Sequence, residues 1–259
     1  MSMTIRAMAD SQMQMRQLNM QLSTGNRINS AADDAAGAAI IEEMQAQING
    51  LRQGTENVAD MRNLVRTAEG GLNTIDDSLQ RVRELSLQAS NGILTSGQRE
   101  IIQGEINQIM QGIEGTVQNT EFNGQRILDG SFAEMNTVAS PDGSGMEVTI
   151  PEMSIAALGI EGFDVTVSFD ISTIDSAMET VSAARASLGA ISNRFEHTMT
   201  SNDISALNLA ASRSRFADTD VAREFSEMER TRLLEEFQVM MLNQESQDMR
   251  ERQNMFFMQ

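Results

Sequence analysis

The chain has 259 residues, of which 37 are acidic and 19 are basic, so its net charge at neutral pH is −18. All the basic residues are arginine, His197 is the single histidine, and cysteine, tryptophan and tyrosine are absent. This composition excludes cysteine nucleophiles, lysine Schiff bases and multi-histidine metal cages. It does not exclude an enzyme whose catalytic groups are carboxylates. The strong negative charge predicts that the chain binds neither nucleic acid nor anionic membrane.

Methionine and leucine recur every seven residues at the beginning of the chain, at Met1, Met8, Met15 and Leu22. This spacing predicts an amphipathic helix of the coiled-coil type, which we assign with its connector to residues 1–32. The segment lacks the apolar core of a signal peptide, and the chain contains no run of about 18 apolar residues. We therefore expect no cleaved signal peptide and no membrane span.

The region 33–130 carries the clearest helical period. Apolar residues fall seven apart from Met44 to Leu79 and predict one long helix over about residues 34–90. Glycine lowers helix stability, so we expect bends or breaks at the glycines in this helix. These glycines are Gly50, Gly54, Gly70 and Gly71.

Turn residues at Asn91–Gly92 end the long helix, and the apolar period of residues 102–117 predicts an antiparallel return helix. The dipeptides Asn123–Gly124 and Asp129–Gly130 then predict turns, which complete the N-terminal region.

Between residues 131 and 171 the period changes from helical to two. Phe163–Asp170 alternates apolar and polar residues throughout, and Met146–Ile150 does so over a shorter stretch. Both prolines, Pro141 and Pro151, lie in this region. The pattern predicts a small β-hairpin excursion of about 40 residues, which is too short for an independent domain.

A helical period returns over residues 172–222, predicted to be a long C-terminal helix, and continues over residues 223–259 in a methionine-rich helix. Flexible methionine suits surfaces that repack against several neighbours, so both terminal helices are candidates for self-association. The candidate polymerisation residues are Met8, Met15, Leu22, Leu233, Leu234, Phe237 and Met241. The predicted fold is mainly α, a long antiparallel coiled coil or bundle formed by the N- and C-terminal regions.

Seven ordered motifs, spread over most of the chain, resemble those of bacterial flagellin. They are Leu22–Gly37, Thr67–Leu72, Leu79–Gly92, Glu105–Gln108, Asn119–Gly130, Ala186–Thr198 and Asn208–Ala222. The resemblance implies a non-enzymatic subunit without a cofactor that polymerises through its terminal helices into the flagellar filament for swimming. The short region 131–171 corresponds to a minimal form of the family's variable centre.

The resemblance also implies an extracellular location, reached by type III export, with the flagellar export chaperone, cap and hook-junction proteins as partners. A hook–filament junction protein, with related terminal helices, is the alternative identity. A carboxylate-based secreted enzyme is the alternative from another class, but the sequence offers no converging set of carboxylates for it.

By the same resemblance, Arg81, Leu85 and Glu105 occupy the positions at which Toll-like receptor 5 recognises members of the family. Helical geometry places Arg81 opposite the core stripe and Leu85 on its flank, which predicts a partly exposed leucine beside an arginine. The alternative interpretation is a solvated face that contributes only a subunit contact.

Arg213, Arg215, Asp218 and Asp220 form a charged cluster that we regard as a candidate inter-subunit set, with a solvated helix as the alternative. Asp33–Asp34 resembles an acidic metal pair, but a helix start with acid at the positive end of the dipole is the favoured interpretation.

Overall fold

The computed structural model describes residues 2–132 and 134–257, and side-chain surroundings for residues 4–132 and 134–251. About 72% of the chain is helical, which confirms the mainly α class. The helices in the described ranges are α1 (Ser2–Thr24), α2 (Ala35–Ala89), α3 (Ser96–Asn119), α4 (Ser172–Ala217) and α5 (Val221–Phe257). The short strands are β1 (Glu121–Phe122), β2 (Gln125–Arg126), β3 (Met135–Val138) and β4 (Gly145–Val148). Met1, where the predicted N-terminal stripe begins, lies outside the described residues.

The chain divides into two compact units. Unit 1 comprises Met1–Ile48 and Leu207–Gln259, and unit 2 comprises Asn49–Ala206. Unit 1 contains the pair of terminal helices, α1 and α5. Unit 2 contains α3, the strands and the greater part of α2 and α4.

The core of unit 2 follows the apolar period of α2. Val58, Val65, Leu72 and Leu79, seven residues apart, are fully buried in a cluster with apolar side chains of α3 and α4. The return helix α3 begins with a capping box in which Thr95 and Gln98 satisfy each other's backbone N–H groups. The heptad period therefore marks the core as the sequence predicts.

The expected breaks at the glycines of α2 do not occur, because α2 is one uninterrupted helix. Gly50 and Gly54 instead allow the β3–β4 loop to approach the helix backbone closely. A Cβ built on Gly50 would lie 2.7 Å from the Cβ of Pro141, and one on Gly54 would overlap the carbonyl of Ala139. Packing explains why these helix-weakening residues are tolerated there.

The predicted hairpin excursion is confirmed for β4, which pairs with β3 in antiparallel register from Met135↔Val148 to Val138↔Gly145. Side-chain amides hold the loop after β3. Asn57 Nδ2 donates to the carbonyl of Val138 at 3.0 Å, and buried Asn202 donates to that of Ala139 at 2.8 Å.

The turn predicted at Asn123–Gly124 is also confirmed, because both residues have positive φ, 51° and 74°, and connect β1 with β2. Positive φ at both central residues is what a type I′ hairpin requires. Gly130 likewise has a φ of 86° at the second predicted turn.

The strand predicted at Phe163–Asp170 is wrong, since this segment forms bends without a strand partner. Its backbone is satisfied by a side chain of α3. Gln103 Oε1 accepts from the Val165 N–H at 2.7 Å, and Gln103 Nε2 donates to the Phe163 carbonyl at 3.0 Å. Val165 is buried but Val167 is exposed, so the alternation in sequence does not correspond to two faces of a sheet.

Candidate functional site

Helices α1 and α5 pack against each other within unit 1. Thr4 Oγ1 donates to Glu245 Oε2 at 3.3 Å, and Gln238 Nε2 donates to Ser11 Oγ at 3.1 Å. Because the partner's number falls as the α1 number rises, the two helices are antiparallel. Both hydrogen bonds join polar side chains at the contact between the helices. We call this contact the seam, and the heptad-spaced shielded residues of α1 and α5 that are given below are the seam residues.

Six buried or half-buried residues of α1 are spaced alternately by four and three positions, as in coiled-coil packing. They are Thr4, Met8, Ser11, Met15, Leu18 and Leu22, and Gln21 beside Leu22 is also buried. The candidate polymerisation residues Met8, Met15 and Leu22 therefore lie on the side of α1 that packs within its own chain.

Seven buried or half-buried residues of α5 have the same heptad spacing but are mostly polar: Glu224, Met228, Thr231, Glu235, Gln238, Leu242 and Glu245. Glu227, Glu229 and Ser246 are also half-buried. The candidate polymerisation residues of this helix lie elsewhere on its surface. Leu233, Leu234, Phe237 and Met241 are 64%, 47%, 59% and 46% exposed. The structure thus divides the predicted set between a shielded α1 group and an exposed α5 group.

Three exposed apolar residues of α5, Leu233, Phe237 and Met240, are spaced i, i+4 and i+7 and lie along one face. Leu233 lies two residues beyond the seam residue Thr231, a rotation of about 200° around the helix. The face therefore points away from α1. We call these three residues the outer stripe, a candidate interaction surface.

The charged cluster at the α4–α5 junction has partners in its own chain. Asp220 caps α5, because its Oδ1 accepts from the N–H groups of Ala222 and Arg223 at 3.1 and 3.2 Å. Asp218 accepts a short hydrogen bond from the Ser214 hydroxyl. Both carboxylates thus have local roles in ending one helix and beginning the next.

The two arginines of the cluster also bond locally. Arg213 Nη1 donates a short hydrogen bond to Gln45 Oε1, and Arg215 Nη2 approaches Ser212 Oγ at 3.5 Å. Within the described residues, none of the four predicted charges forms an ion pair with another. A contact with a neighbouring subunit stays a prediction.

Backbone hydrogen bonds join the connector after α1 to the end of α4 and the residues that follow it. The Arg27 N–H donates to the Ala217 carbonyl at 2.6 Å, and the Thr219 N–H donates to the Gly25 carbonyl at 2.9 Å. Arg27 Nη2 adds a bond to the Phe216 carbonyl at 3.0 Å. Sequence reasoning missed this junction because its bonds join backbone groups far apart in the chain.

The acidic pair before α2 starts the helix, as predicted. Asp34 Oδ1 accepts from the Gly37 N–H at 2.9 Å, which is an N-cap interaction. The neighbouring Asp33 accepts from the N–H groups of Asn29 and Ser30, and these bonds hold the pKa of Asp33 below its ordinary value. The carboxylates thus shape the connector.

Arg81 and Glu105, two of the three candidate receptor residues, form an ion pair in unit 2. Arg81 Nε and Nη2 donate to Glu105 Oε1 at 3.1 and 2.7 Å, and Nη1 donates to Glu84 at 3.1 Å. The bonds to Glu105 and then to Glu84 raise the pKa of Arg81. Both partners of the Arg81–Glu105 pair remain about half exposed.

The expectation that Leu85 is partly exposed is wrong, because its side chain is only 2% exposed. Leu85 lies one helical turn beyond Arg81, whose ion pair with Glu105 places α3 alongside this side of α2, and it belongs to the core cluster of unit 2. Leu85 is therefore a core residue.

Family models match both ends of the chain. Residues 1–133 match the bacterial flagellin N-terminal helical region, and residues 171–252 match the bacterial flagellin C-terminal helical region. Flagellin of Halalkalibacterium halodurans is 37% identical, in an alignment that covers 88% of this chain and 86% of that flagellin. Flagellin of Bacillus subtilis is also 37% identical and covers 89% of each. Flagellin FlaB1 of Treponema pallidum is 34% identical and covers 86% of each.

A solved structure described as a putative flagellar hook-associated protein from Vibrio parahaemolyticus has a similar fold. Its TM-score is 0.61 at 15% identity, with 72% of this chain and 100% of that chain covered. At this level of identity the similarity establishes the fold alone.

The paired terminal helices and the matching helical regions define a structural protein of the bacterial flagellum. The chain belongs to the bacterial flagellin family and is a structural subunit of the flagellar filament. The alternative of a hook–filament junction protein is not favoured. Family membership implies self-polymerisation, and flagellin homologues form an extracellular filament. Among the described residues, no helix combines the length and hydrophobicity needed to cross a membrane.

Proposed function

We propose that unit 1 carries the contacts by which this flagellin polymerises. The seam holds α1 and α5 together as a pair, and the outer stripe of α5 packs against neighbouring subunits. The observation that carries this proposal is the reversed polarity of α5, which turns polar residues toward α1 and Leu233, Phe237 and Met240 toward solvent.

Burial of the outer stripe supplies a driving force for assembly. Complete burial of a leucine, phenylalanine or methionine side chain stabilises a contact by about 1.5–3 kcal/mol. The stripe occupies one face of one helix, so its contacts with a different surface of the next subunit are heterologous. Contacts that do not close into a ring extend an open helical polymer.

The test is Phe237→Ser, with Val167→Ser as the matched control, since both residues are 59% exposed. We expect both monomers to fold normally. Phe237 is 59% exposed, so burial of its remaining surface contributes about 1–2 kcal/mol, and its loss raises the critical concentration for seeded assembly about 5- to 30-fold in Phe237→Ser. Sedimentation and electron microscopy measure this concentration, and equal assembly of the two variants contradicts the proposal.

A truncation of α5 is a second test of the proposed assembly contacts. Deletion from Thr231 onward removes the outer stripe and most of the seam residues of α5, so we expect a soluble monomer that forms no filaments. Normal filaments from this truncated chain would place the assembly contacts elsewhere.

For the charged cluster, we propose that Arg213, Arg215, Asp218 and Asp220 fix the register between subunits more than they add affinity. The exposed surroundings of Arg215 and Asp220 support this role. Arg213→Glu is expected to disturb filament geometry in electron micrographs, and unchanged filaments would remove the hypothesis.

We propose further that the chain reaches the cell exterior unfolded, through the type III apparatus, with the export chaperone, cap and hook-junction proteins as partners. Membership of the flagellin family supports this route. The protein should disappear from culture supernatants of a strain lacking the export apparatus, while its intracellular synthesis continues. Secretion from that strain would contradict the route.

Recognition by Toll-like receptor 5 is a second proposed function, supported by the half-exposed Arg81–Glu105 pair. Arg81→Ala is expected to weaken stimulation of receptor-bearing cells by purified monomer. Arg83→Ala is the matched control, since Arg83 also forms a half-exposed ion pair on α2. Failure of the native monomer to stimulate cells that respond to another flagellin would contradict this function.

A further inference from the structure

The exposed methionines lie in unit 1 and not in the described part of unit 2. Among the described side chains, every methionine in the exposed class lies on α1 or α5: Met13, Met20, Met240, Met241 and Met249. In unit 2 the methionines are buried or half-buried, and Met61, Met110 and Met153 are at most 9% exposed. Reactive thioethers are therefore concentrated on the helices to which we assign assembly.

The composition makes these thioethers the principal oxidisable groups of the chain, because cysteine, tryptophan and tyrosine are absent. A sulfur lone pair of methionine attacks one oxygen of hydrogen peroxide, the O–O bond breaks, and the second oxygen leaves as water. The sulfur is oxidised by two electrons to the sulfoxide while the peroxide is reduced. Methionine sulfoxide reductases reverse this change with electrons from thiols.

Sulfoxide formation changes the polarity of the proposed assembly surface. Met240 belongs to the outer stripe, and Met241 lies three residues beyond the seam residue Gln238, on the border of the seam. A sulfoxide is polar and disrupts methionine-rich interfaces, whereas the thioether it replaces packs well against apolar neighbours. Oxidation at these residues therefore removes part of the driving force for polymerisation.

We propose that the exposed methionines of α1 and α5 form a reversible oxidation site that controls assembly of this subunit. Peroxide converts them to sulfoxides and leaves a folded monomer that assembles poorly, and reduction restores assembly. The inference rests on the proposed role of unit 1 in polymerisation.

The site selectivity is tested by peptide mass spectrometry of native monomer after treatment with hydrogen peroxide. We expect oxidation at Met13, Met20, Met240 and Met241 while Met153, which is 0% exposed, stays reduced. Far-ultraviolet circular dichroism should show an intact fold. Equal oxidation of Met153 and Met240 in folded protein would overturn the inference.

The functional test compares two fourfold variants. Leucine has no sulfur to oxidise, so in the variant with Met13→Leu, Met20→Leu, Met240→Leu and Met241→Leu together, the critical concentration measured with peroxide should equal that variant's own value without peroxide. The control carries Met135→Leu, Met146→Leu, Met178→Leu and Met199→Leu in unit 2, and it should stay as sensitive as the native chain.

For the native chain we expect peroxide to raise the critical concentration at least about tenfold, and a sulfoxide reductase with dithiothreitol to reverse the rise. Unchanged assembly of oxidised native protein, or equal sensitivity of the two fourfold variants, overturns the inference. The polymerisation proposal is judged separately, on Phe237→Ser and Val167→Ser without peroxide, so failure of one is distinguishable from failure of the other.

Discussion

The long helix of unit 2 and the last helix of unit 1 differ in where their apolar stripes lie. In unit 2 the heptad residues of α2, such as Val65, Leu72 and Leu79, are fully buried in one core. In unit 1 the helix pair meets through a seam rich in polar residues, while Leu233 and Phe237 of the outer stripe are exposed. The contrast teaches that a heptad stripe of α2 is buried within the monomer, whereas the apolar stripe of α5 is not.

The largest effect should come from making the same truncation in each unit. Leu79→Ala removes a side chain that is 0% exposed, so we expect it to lower the free energy of unfolding by about 2–5 kcal/mol. Leu233→Ala removes one that is 64% exposed and should change it by less than about 0.5 kcal/mol. Urea denaturation of the monomers measures both values, and a similar loss in the two variants would break the contrast between the units.

An intermediate effect is expected where unit 2 is packed most closely. A side chain at Gly54 would overlap the Ala139 carbonyl, so Gly54→Ala should destabilise unit 2 by about 1–3 kcal/mol. A Cβ at Gly70 meets open space, and Gly70→Ala should stabilise α2 by up to about 1 kcal/mol. Thermal unfolding should therefore shift in opposite directions, and a shift in the same direction would show that the hairpin loop yields readily.

The smallest effect concerns four turns of unit 2 with the pattern Asp-x-Ser/Thr. The neighbouring hydroxyl and then the N–H of the residue two positions on hold the pKa of each aspartate below the ordinary value of 3.8, and the N–H donates to the carboxylate in all four turns. The stability they supply is complete above the unfolded-state pKa and is lost as the pH falls through the lower folded-state values. The aspartates are Asp129, Asp142, Asp164 and Asp170.

Denaturation of the native chain between pH 5 and pH 2 should therefore show a modest loss of stability. A variant with asparagine at all four positions is the control, because asparagine supports the same turns without a titrating carboxylate. We expect a flatter pH dependence for this variant, and parallel pH curves would show that other carboxylates carry the acid response.

The parts of the fold that depend on local periodicity were predictable from sequence. The heptads of α2, the Asn123–Gly124 turn and the helix start at Asp34 each follow from spacing or turn chemistry. Features that depend on a distant partner were not. Leu85 lies on the flank of the core stripe but is buried in the packed unit, which no pattern within residues 79–92 reveals.

The hydrophobic pattern identified the candidate assembly residues. It did not predict that one group of them is shielded and the other is exposed. Amphipathic patterns identify Met15 and Phe237 equally well, yet the first lies on the shielded side of α1 and the second faces solvent. The choice depends on which side of α5 meets α1. Polar bonds such as Gln238 to Ser11 help define that side, and hydrophobic period alone does not report them.

The single side chain of Gln103 has a further consequence for a protein that must remain dispersed until it assembles. Residues 164–169, Asp-Val-Thr-Val-Ser-Phe, are rich in β-branched and aromatic residues and contain neither proline nor glycine, a composition typical of cross-β aggregation. Gln103 engages the carbonyl of Phe163 and the N–H of Val165, through which another copy of this segment could begin to add as a strand. One amide on α3 thus occupies two backbone groups of this segment that an added strand would need.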